Sequence, residues 1–181
     1  LSHHIEPVLF GDERAPTQGN APRALGKIRA AEGGTLFLDD ITELPADIQV
    51  RLLRVLQQRE IEPMGGGRPV KVNLRIITAS DRDLRREVEA GRFREDLYFR
   101  LNILPITLPA LRERRADILP LVEYFISRIS LSDRLAAKSL TADAQAYLID
   151  QAWPGNVREL EGLIHRALVL SDAYEIDRDV L

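Results

Sequence analysis

The sequence predicts an α/β lobe of about 111 residues followed by a small all-helical lobe. Three observations carry that prediction. Short apolar runs that read as strands alternate with amphipathic helical stretches up to about residue 111. Only helical patterns follow that point. The 181-residue chain is 45% hydrophobic and 29% charged, a balance that supports a folded core.

The first 34 residues predict an exposed loop region: Gly11 to Gly34 combines glycines, two prolines and scattered charge with little apolar periodicity. Thr35-Leu36-Phe37-Leu38 is a short apolar run ending in Asp39-Asp40, which predicts a buried parallel strand. Its acids would lie at the strand's C-terminal end, where open α/β sheets bind ligands. Pro45 to Gln58 predicts a helix, with Ile48, Leu52, Val55 and Leu56 on one face and arginines opposite. Gly65-Gly66-Gly67 marks a tight turn between extended pieces at 60–64 and 69–73. Leu74 to Ala79 predicts a second buried strand. Leu84 to Ala90 predicts a charged helix stopped by Gly91, and Asp96 to Leu101 a short one. Leu104 to Leu108, with Pro105 near its start and Pro109 just after it, predicts a third strand near a sheet edge.

Past Arg112-Glu113-Arg114-Arg115 the pattern becomes helical. Asp117 opens a helix to about Ile129, and Thr141 caps one to about Ala152. Trp153-Pro154-Gly155 is a turn, with Trp153 read as a core anchor. Asn156 is expected to cap a third helix carrying Val157, Leu160, Ile164, Ala167 and Leu168 on one stripe.

The absence of cysteine excludes a disulfide scaffold, a cysteine nucleophile and a thiolate metal site. A net charge of −3 gives no expectation of a globally basic nucleic-acid surface. No apolar run approaches the roughly 20 residues of a membrane helix, and Leu1-Ser2-His3-His4 does not open a signal peptide. The expected location is cytoplasmic.

Three constellations can carry chemistry. Asp39 and Asp40 at a strand end can hold Mg²⁺ and orient an attacking water, or can simply face solvent. Arg94 and Arg100 can reach a neighbouring subunit's nucleotide, or can pair at the surface with Glu95 and Asp96. Arg158, in the first turn of a helix, stands where the dipole favours anions. It suits a phosphate, or pairs with Glu161. His165 reads as an ordinary surface residue. No phosphate-binding P-loop is present: at Gly26-Lys27 the pattern has Ala21 for its first glycine and Ile28 for its Ser/Thr.

In order, GGTLFLDD, LPADIQVRLLRVL, GGGRPVKVNLRIITAS, GRFREDLYFRLN, LPALRERRADI and WPGNVREL resemble the AAA+ domain of bacterial sigma-54-dependent transcription activators, from about Leu9 to the C-terminus. The resemblance implies a partial AAA+ parallel-sheet lobe over residues 1–111 and a helical lid over 112–181. Asp39 then matches the Walker B aspartate that supports Mg²⁺, and Asp40 the following acid, usually Glu, that polarises water. Ser80 falls on the sensor-one position. Arg94 and Arg100 match the arginine fingers that act in trans. Arg158 matches the sensor-two arginine, and the Arg115–Ile118 region the hinge lining the adenine pocket. The implied cofactors are ATP and Mg²⁺. The implied partners are further copies in a ring, usually a hexamer, RNA polymerase holoenzyme, and DNA through a domain outside this chain.

Three departures accompany the resemblance. The Walker A segment of the family falls N-terminal to residue 1, so the chain reads as a fragment that would be inactive alone. Asp40 is one methylene shorter than Glu. The sigma-contacting loop, GAFTGA in the family, aligns with Ala15-Pro16-Thr17-Gln18-Gly19-Asn20 and keeps only its second glycine. Direct sigma-54 engagement is therefore not expected. The alternative function is a non-catalytic, nucleotide-gated oligomerisation module independent of sigma-54.

Overall fold

The computed structural model describes residues 2–12, 25–65 and 68–181. The chain divides into two compact units, Leu1–Pro105 and Ile106–Leu181. In chain order the first contains α1 (Ser2–Phe10), α2 (Gly26–Ala30), β1 (Thr35–Leu38), α3 (Ala46–Gln58), β2 (Glu60–Ile61), β3 (Val70–Lys71), β4 (Arg75–Thr78), α4 (Leu84–Glu89) and α5 (Glu95–Leu101).

Strands β1 and β4 pair in parallel, Thr35 opposite Arg75 through Leu38 opposite Thr78. Side chains alternate across the pair. Leu36, Leu38 and Ile76 pack inward against two clusters. One holds Phe10, Ile28, Ile48 and Val55, the other Leu52, Phe93 and Leu97. The opposite face carries Phe37, 57% exposed, and Ile77, 42% exposed. The expectation of strands buried on both faces is therefore corrected. Among the described residues this sheet has two strands, and its apolar contacts lie on one side.

The N-terminal expectation is corrected as well. Leu9, Phe10 and Ile28 are buried on α1 and α2, in a stretch read as loop. Tertiary packing selects these few apolar residues without any helical period in the sequence to announce them. Gly26 makes the contact possible. Its φ is +71°, and a Cβ there would lie 2.4 Å from the Gly11 nitrogen.

Helix α3 forms as its apolar spacing dictates, with Ile48, Leu52 and Val55 buried. Gln49, unexpectedly, is buried beside them. The pieces flanking the triple glycine form the short antiparallel pair β2–β3, and Gly66 and Gly67 lie outside the described residues. Asp83 caps α4 by accepting the Arg85 amide at 2.9 Å.

The third strand expected at Leu104 to Leu108 does not form. Ile103, Leu104, Ile106 and Leu108 are each more than 70% exposed. Pro105 and Pro109 supply no amide donors, and no described strand pairs with the segment.

The second unit contains α6 (Ile118–Asp133), β5 (Ser139–Leu140), α7 (Ala142–Asp150), α8 (Asn156–Leu170) and β6 (Glu175–Ile176). It is not purely helical: β5 and β6 form a two-residue parallel ladder. Its core joins Ile118, Val122, Phe125, Leu148, Leu160 and Ile164. Thr141 caps α7, its hydroxyl accepting the Ala144 amide at 3.2 Å. Trp153 is buried, and its indole N–H donates to the Leu148 carbonyl at 2.9 Å. Asn156 does not cap α8 with its side chain. Its Oδ1 accepts the Leu111 amide at 2.9 Å, and the carboxylate of Glu159 accepts the Gly155 amide at 2.8 Å.

Ile164 is fully buried at the contact of α6 and α8. Ile164→Ala should cost this unit about 2–5 kcal/mol. Urea unfolding followed by the fluorescence of Trp153, the sole tryptophan, would read the loss. A loss under about 0.5 kcal/mol, the size of an ordinary surface substitution, would contradict the packing.

Candidate functional site

At the C-terminal end of the parallel pair, two backbone bonds join the segments that follow the strands. The Ala79 amide donates to the Leu38 carbonyl at 2.9 Å, and the Ile41 amide donates to the Ala79 carbonyl at 3.0 Å. Asp39-Asp40 and Ala79-Ser80 are thereby held side by side. Asp39 and Asp40 are exposed, and the Asp40 amide donates to Asp39 Oδ1 at 3.2 Å. Asp40 has left-handed backbone angles, φ 50° and ψ 51°. Aspartate tolerates that region better than most residues do. Ser80 closes a local turn: its Oγ accepts the Arg82 amide at 3.0 Å and donates to the Arg82 carbonyl at 2.9 Å. Arg82 pairs with Glu43 at 2.9 Å, a second tie between the same two segments.

Arg94 immediately precedes α5 and Arg100 lies in its last turn, and α5 lies against α3. Six residues span about 600° of helix, so the two arginines do not share a face. Arg94, the residue before α5, forks onto Asp96, Nε to Oδ1 at 3.0 Å and Nη2 to Oδ2 at 2.7 Å. These hydrogen bonds hold the Asp96 carboxyl below the usual carboxylate range and raise Arg94. Arg100 donates to the Leu56 carbonyl at 3.2 Å. Both side chains are exposed.

The loop leading to Arg94 is held from two sides. Arg92 forks onto Glu87 of α4 at 2.6 and 2.8 Å. The Glu87 carbonyl accepts the amides of Arg92 and Phe93. From α3, Gln49 bonds to both Arg92 and Arg94. Sequence reasoning missed both anchors. The signal for Gln49 was present, a polar residue on the stripe of Ile48, Leu52 and Leu53.

In the second unit, Ile118 is fully buried in the core at the start of α6. Arg158 is exposed in the first turn of α8. Its expected local partner Glu161 pairs instead with Arg128, and Glu159 turns back to Gly155. Arg158 has no ion pair among the described residues. Arg115, beside Ile118, pairs with Asp150 at 3.7 Å. His165 is a surface residue, 2.9 Å from Asp133. The Ala15–Asn20 stretch lies outside the described residues. Among the described residues no three His, Cys, Asp or Glu side chains cluster to hold a metal.

A parallel pair whose carboxyl ends carry two acids and a polar residue, followed by a separate mainly helical unit, is an arrangement of α/β proteins that bind ligands at the ends of their strands. Comparison with known proteins narrows that class. Residues 2–107 match the model of the sigma-54 interaction domain, and residues 112–181 match the AAA+ ATPase lid domain. The chain belongs to the sigma-54 interaction domain family, the AAA+ domain of bacterial transcriptional regulators.

It is 47% identical over 173 residues to the transcriptional regulatory protein FlbD of Caulobacter vibrioides, covering 96% of this chain and 38% of FlbD. It is 48% identical over 166 residues to the transcriptional regulatory protein ZraR of Klebsiella oxytoca, covering 92% of this chain and 38% of ZraR. The chain thus spans well under half the length of these relatives. Among solved structures it resembles NtrX of Brucella abortus in complex with ATP, at a TM-score of 0.90 and 35% identity, covering 100% of this chain and 42% of NtrX. No described helix is long and apolar enough to cross a membrane.

The Glu87–Arg92 fork gives a pH test. Hydrogen bonding from Arg92 lowers Glu87, against the raising effect of burial. A carboxyl lowered in the folded state contributes stability above its unfolded value of about 4.3 and loses it as pH falls through the folded value. Urea unfolding between about pH 5 and pH 3 should show a steeper loss in the wild type than in Glu87→Gln. Equal slopes would remove the fork from the account.

Proposed function

We propose that this chain supplies one face of an ATP-hydrolysing site to a ring of identical subunits. Its turnover regulates transcription by RNA polymerase. The observation that carries the reading is the backbone tie that sets Asp39-Asp40 beside Ala79-Ser80 at the end of a parallel strand pair. The family membership supports it, as does the ATP complex of NtrX. We assign residues 1–111 to the α/β subdomain and 112–181 to the lid. DNA contact belongs to a domain outside this chain, and the protein works in the bacterial cytoplasm.

The donor set fits Mg²⁺. Two exposed carboxylates supply hard oxygen ligands, and Mg²⁺ commonly takes one or two carboxylates together with substrate phosphates. Asp39 would hold it, and when bound it neutralises phosphate charge. Asp40 orients the attacking water and accepts its proton. Ser80 adds a polar contact beside the acids. Arg94 and Arg100 serve the nucleotide of the neighbouring subunit, where positive charge stabilises the departing β-phosphate and the transferring γ-phosphoryl group. The Arg94–Asp96 fork is exposed, and exposed pairs exchange partners at little cost. Arg158, charged and without an ion pair among the described residues, contacts phosphate from the lid. Ile118, fully buried, supports the Arg115–Ile118 hinge from within the core and presents no side-chain surface to a base.

A second reading has one specific observation in its favour. Asp40 is shorter than the glutamate usual at this position and is held in a left-handed turn. In that reading ATP is bound without turnover and gates assembly only.

ATP turnover by the chain extended upstream by roughly a hundred residues, a domain-scale step, separates the two. The expected result is hydrolysis that Asp40→Asn lowers roughly 10²-fold or more with ATP affinity retained. ATP binding without turnover in the unmutated protein would establish the gated scaffold instead.

A further inference from the structure

The side chain of Gln49 is buried, with 1% of the residue exposed, between the apolar residues of α3. A buried amide is costly unless its donors and acceptor are satisfied. Gln49 satisfies them with three backbone groups, one nearby at Leu44 and two distant in the chain. Its Nε2 donates to the Leu44 carbonyl at 2.8 Å and to the Arg92 carbonyl at 3.1 Å. Its Oε1 accepts the Arg94 amide at 2.9 Å. Both N–H donors are thereby used.

Two of these bonds bracket Phe93, itself buried at 4% exposure. The amide makes to residues 92 and 94 the pair of bonds that a parallel strand neighbour would make around residue 93. The third bond reaches Leu44, which closes the short turn following Asp39-Asp40. The anchors divide the loop between them. The α4 carbonyl of Glu87 takes the amides of Arg92 and Phe93, whereas the Arg94 amide goes to Gln49. Arg94 is also the residue at which α5 begins. Its direction of departure is therefore fixed by one side-chain amide on α3.

We propose that Gln49 is a positioning residue for Arg94: it registers the arginine that serves the neighbouring subunit against the turn that follows the acids of its own subunit. The inference rests on the reading of Arg94 as acting in trans. Gln49 touches neither nucleotide nor water. Its effect on turnover passes through the backbone of Arg94, where a displacement of about 1 Å can cost up to about 10²-fold.

The test uses the protein extended upstream, as Gln49→Met, Arg94→Ala and Asp40→Asn, each alone and in equimolar mixtures. Methionine keeps the volume of glutamine and removes the three hydrogen bonds. Gln49→Met alone should bind ATP like the wild type and turn it over roughly 10- to 100-fold more slowly. Mixed with Asp40→Asn it should recover turnover, because its intact acids then receive the partner's intact arginine. Mixed with Arg94→Ala it should not.

Recovery with Arg94→Ala and not with Asp40→Asn would mean that Gln49 acts on its own subunit's acids through Leu44, and would overturn the proposal. Failure with both partners, while Arg94→Ala and Asp40→Asn rescue each other, would reduce Gln49 to a structural role. Should that control pair also fail, the trans reading of Arg94 falls and this inference with it. If far-UV circular dichroism shows Gln49→Met to be unfolded, Gln49→Asn, which keeps a buried amide set back by one methylene, must show the same asymmetry. Its absence there overturns the proposal too.

Discussion

The parallel pairing of β1 with β4 is the constraint on which the first unit depends. Parallel strands place both C-terminal ends on the same edge. Here that rule sends the chain out beside itself at Asp39 and at Ala79, and the bonds from Ala79 to Leu38 and from Ile41 to Ala79 extend the ladder past the strands. A slip of one residue would turn Leu36, Leu38 and Ile76 away from the core and rotate the acids with them. The apolar inner face therefore fixes the register, and the register fixes where the carboxylates emerge. Packing and chemistry are set by the same alternation.

Helix α3 is the second organiser. Ile48 and Val55 place it under the sheet, and Leu52, Leu53 and Leu56 turn toward the cluster that holds α5. Once there, it offers polar groups at two points, the Gln49 amide and the Leu56 carbonyl, and these meet the Arg94 backbone and the Arg100 guanidinium. Both arginines are thus referenced to the helix that also supports the acid-bearing strand. The exposed side chains remain free to exchange partners, while the backbone that carries Arg94 is tied into buried structure. That division suits groups that must reach outward from a defined position.

What could be read from the sequence follows from which forces act locally. Strand β1, helix α3 and the capped helix α7 were legible because period, caps and turn residues agree in each. The acids, both arginines and Arg158 were legible as candidates because charge at an element's end is a sequence feature. Ile28 and Phe10 were not, since two isolated apolar residues in a glycine-containing stretch become core only when α1 and α2 meet through the Gly26 contact. Asn156 was misassigned because a residue before a helix usually caps it, whereas here the 45-residue reach to Leu111 takes the side chain. The strand read at Leu104 to Leu108 failed for a related reason: β propensity needs a partner, and none is described beside it.

Both units hold paired and unpaired arginines among the described residues, and the position of one unpaired arginine stands out. Arg82, Arg92 and Arg94 each face a carboxylate at 3.0 Å or less, in contacts that hold the loops of the first unit. In the second unit Arg128 and Arg115 are likewise paired, and Arg158 has no ion pair among the described residues although Glu159 and Glu161 stand within one helical turn. Those two acids are taken, one by the Gly155 amide and one by Arg128. An arginine in the first turn of a helix already opposes the helix dipole. Leaving it unpaired there costs stability that an ordinary surface exchange to glutamate would recover. In the proposed function a phosphate group, which the dipole and the guanidinium both attract, would resolve the conflict. Arg134 and Arg166 also lack an ion pair among the described residues, so it is the position of Arg158 at a helix N-terminus, more than its unpaired state, that suits the proposed phosphate contact.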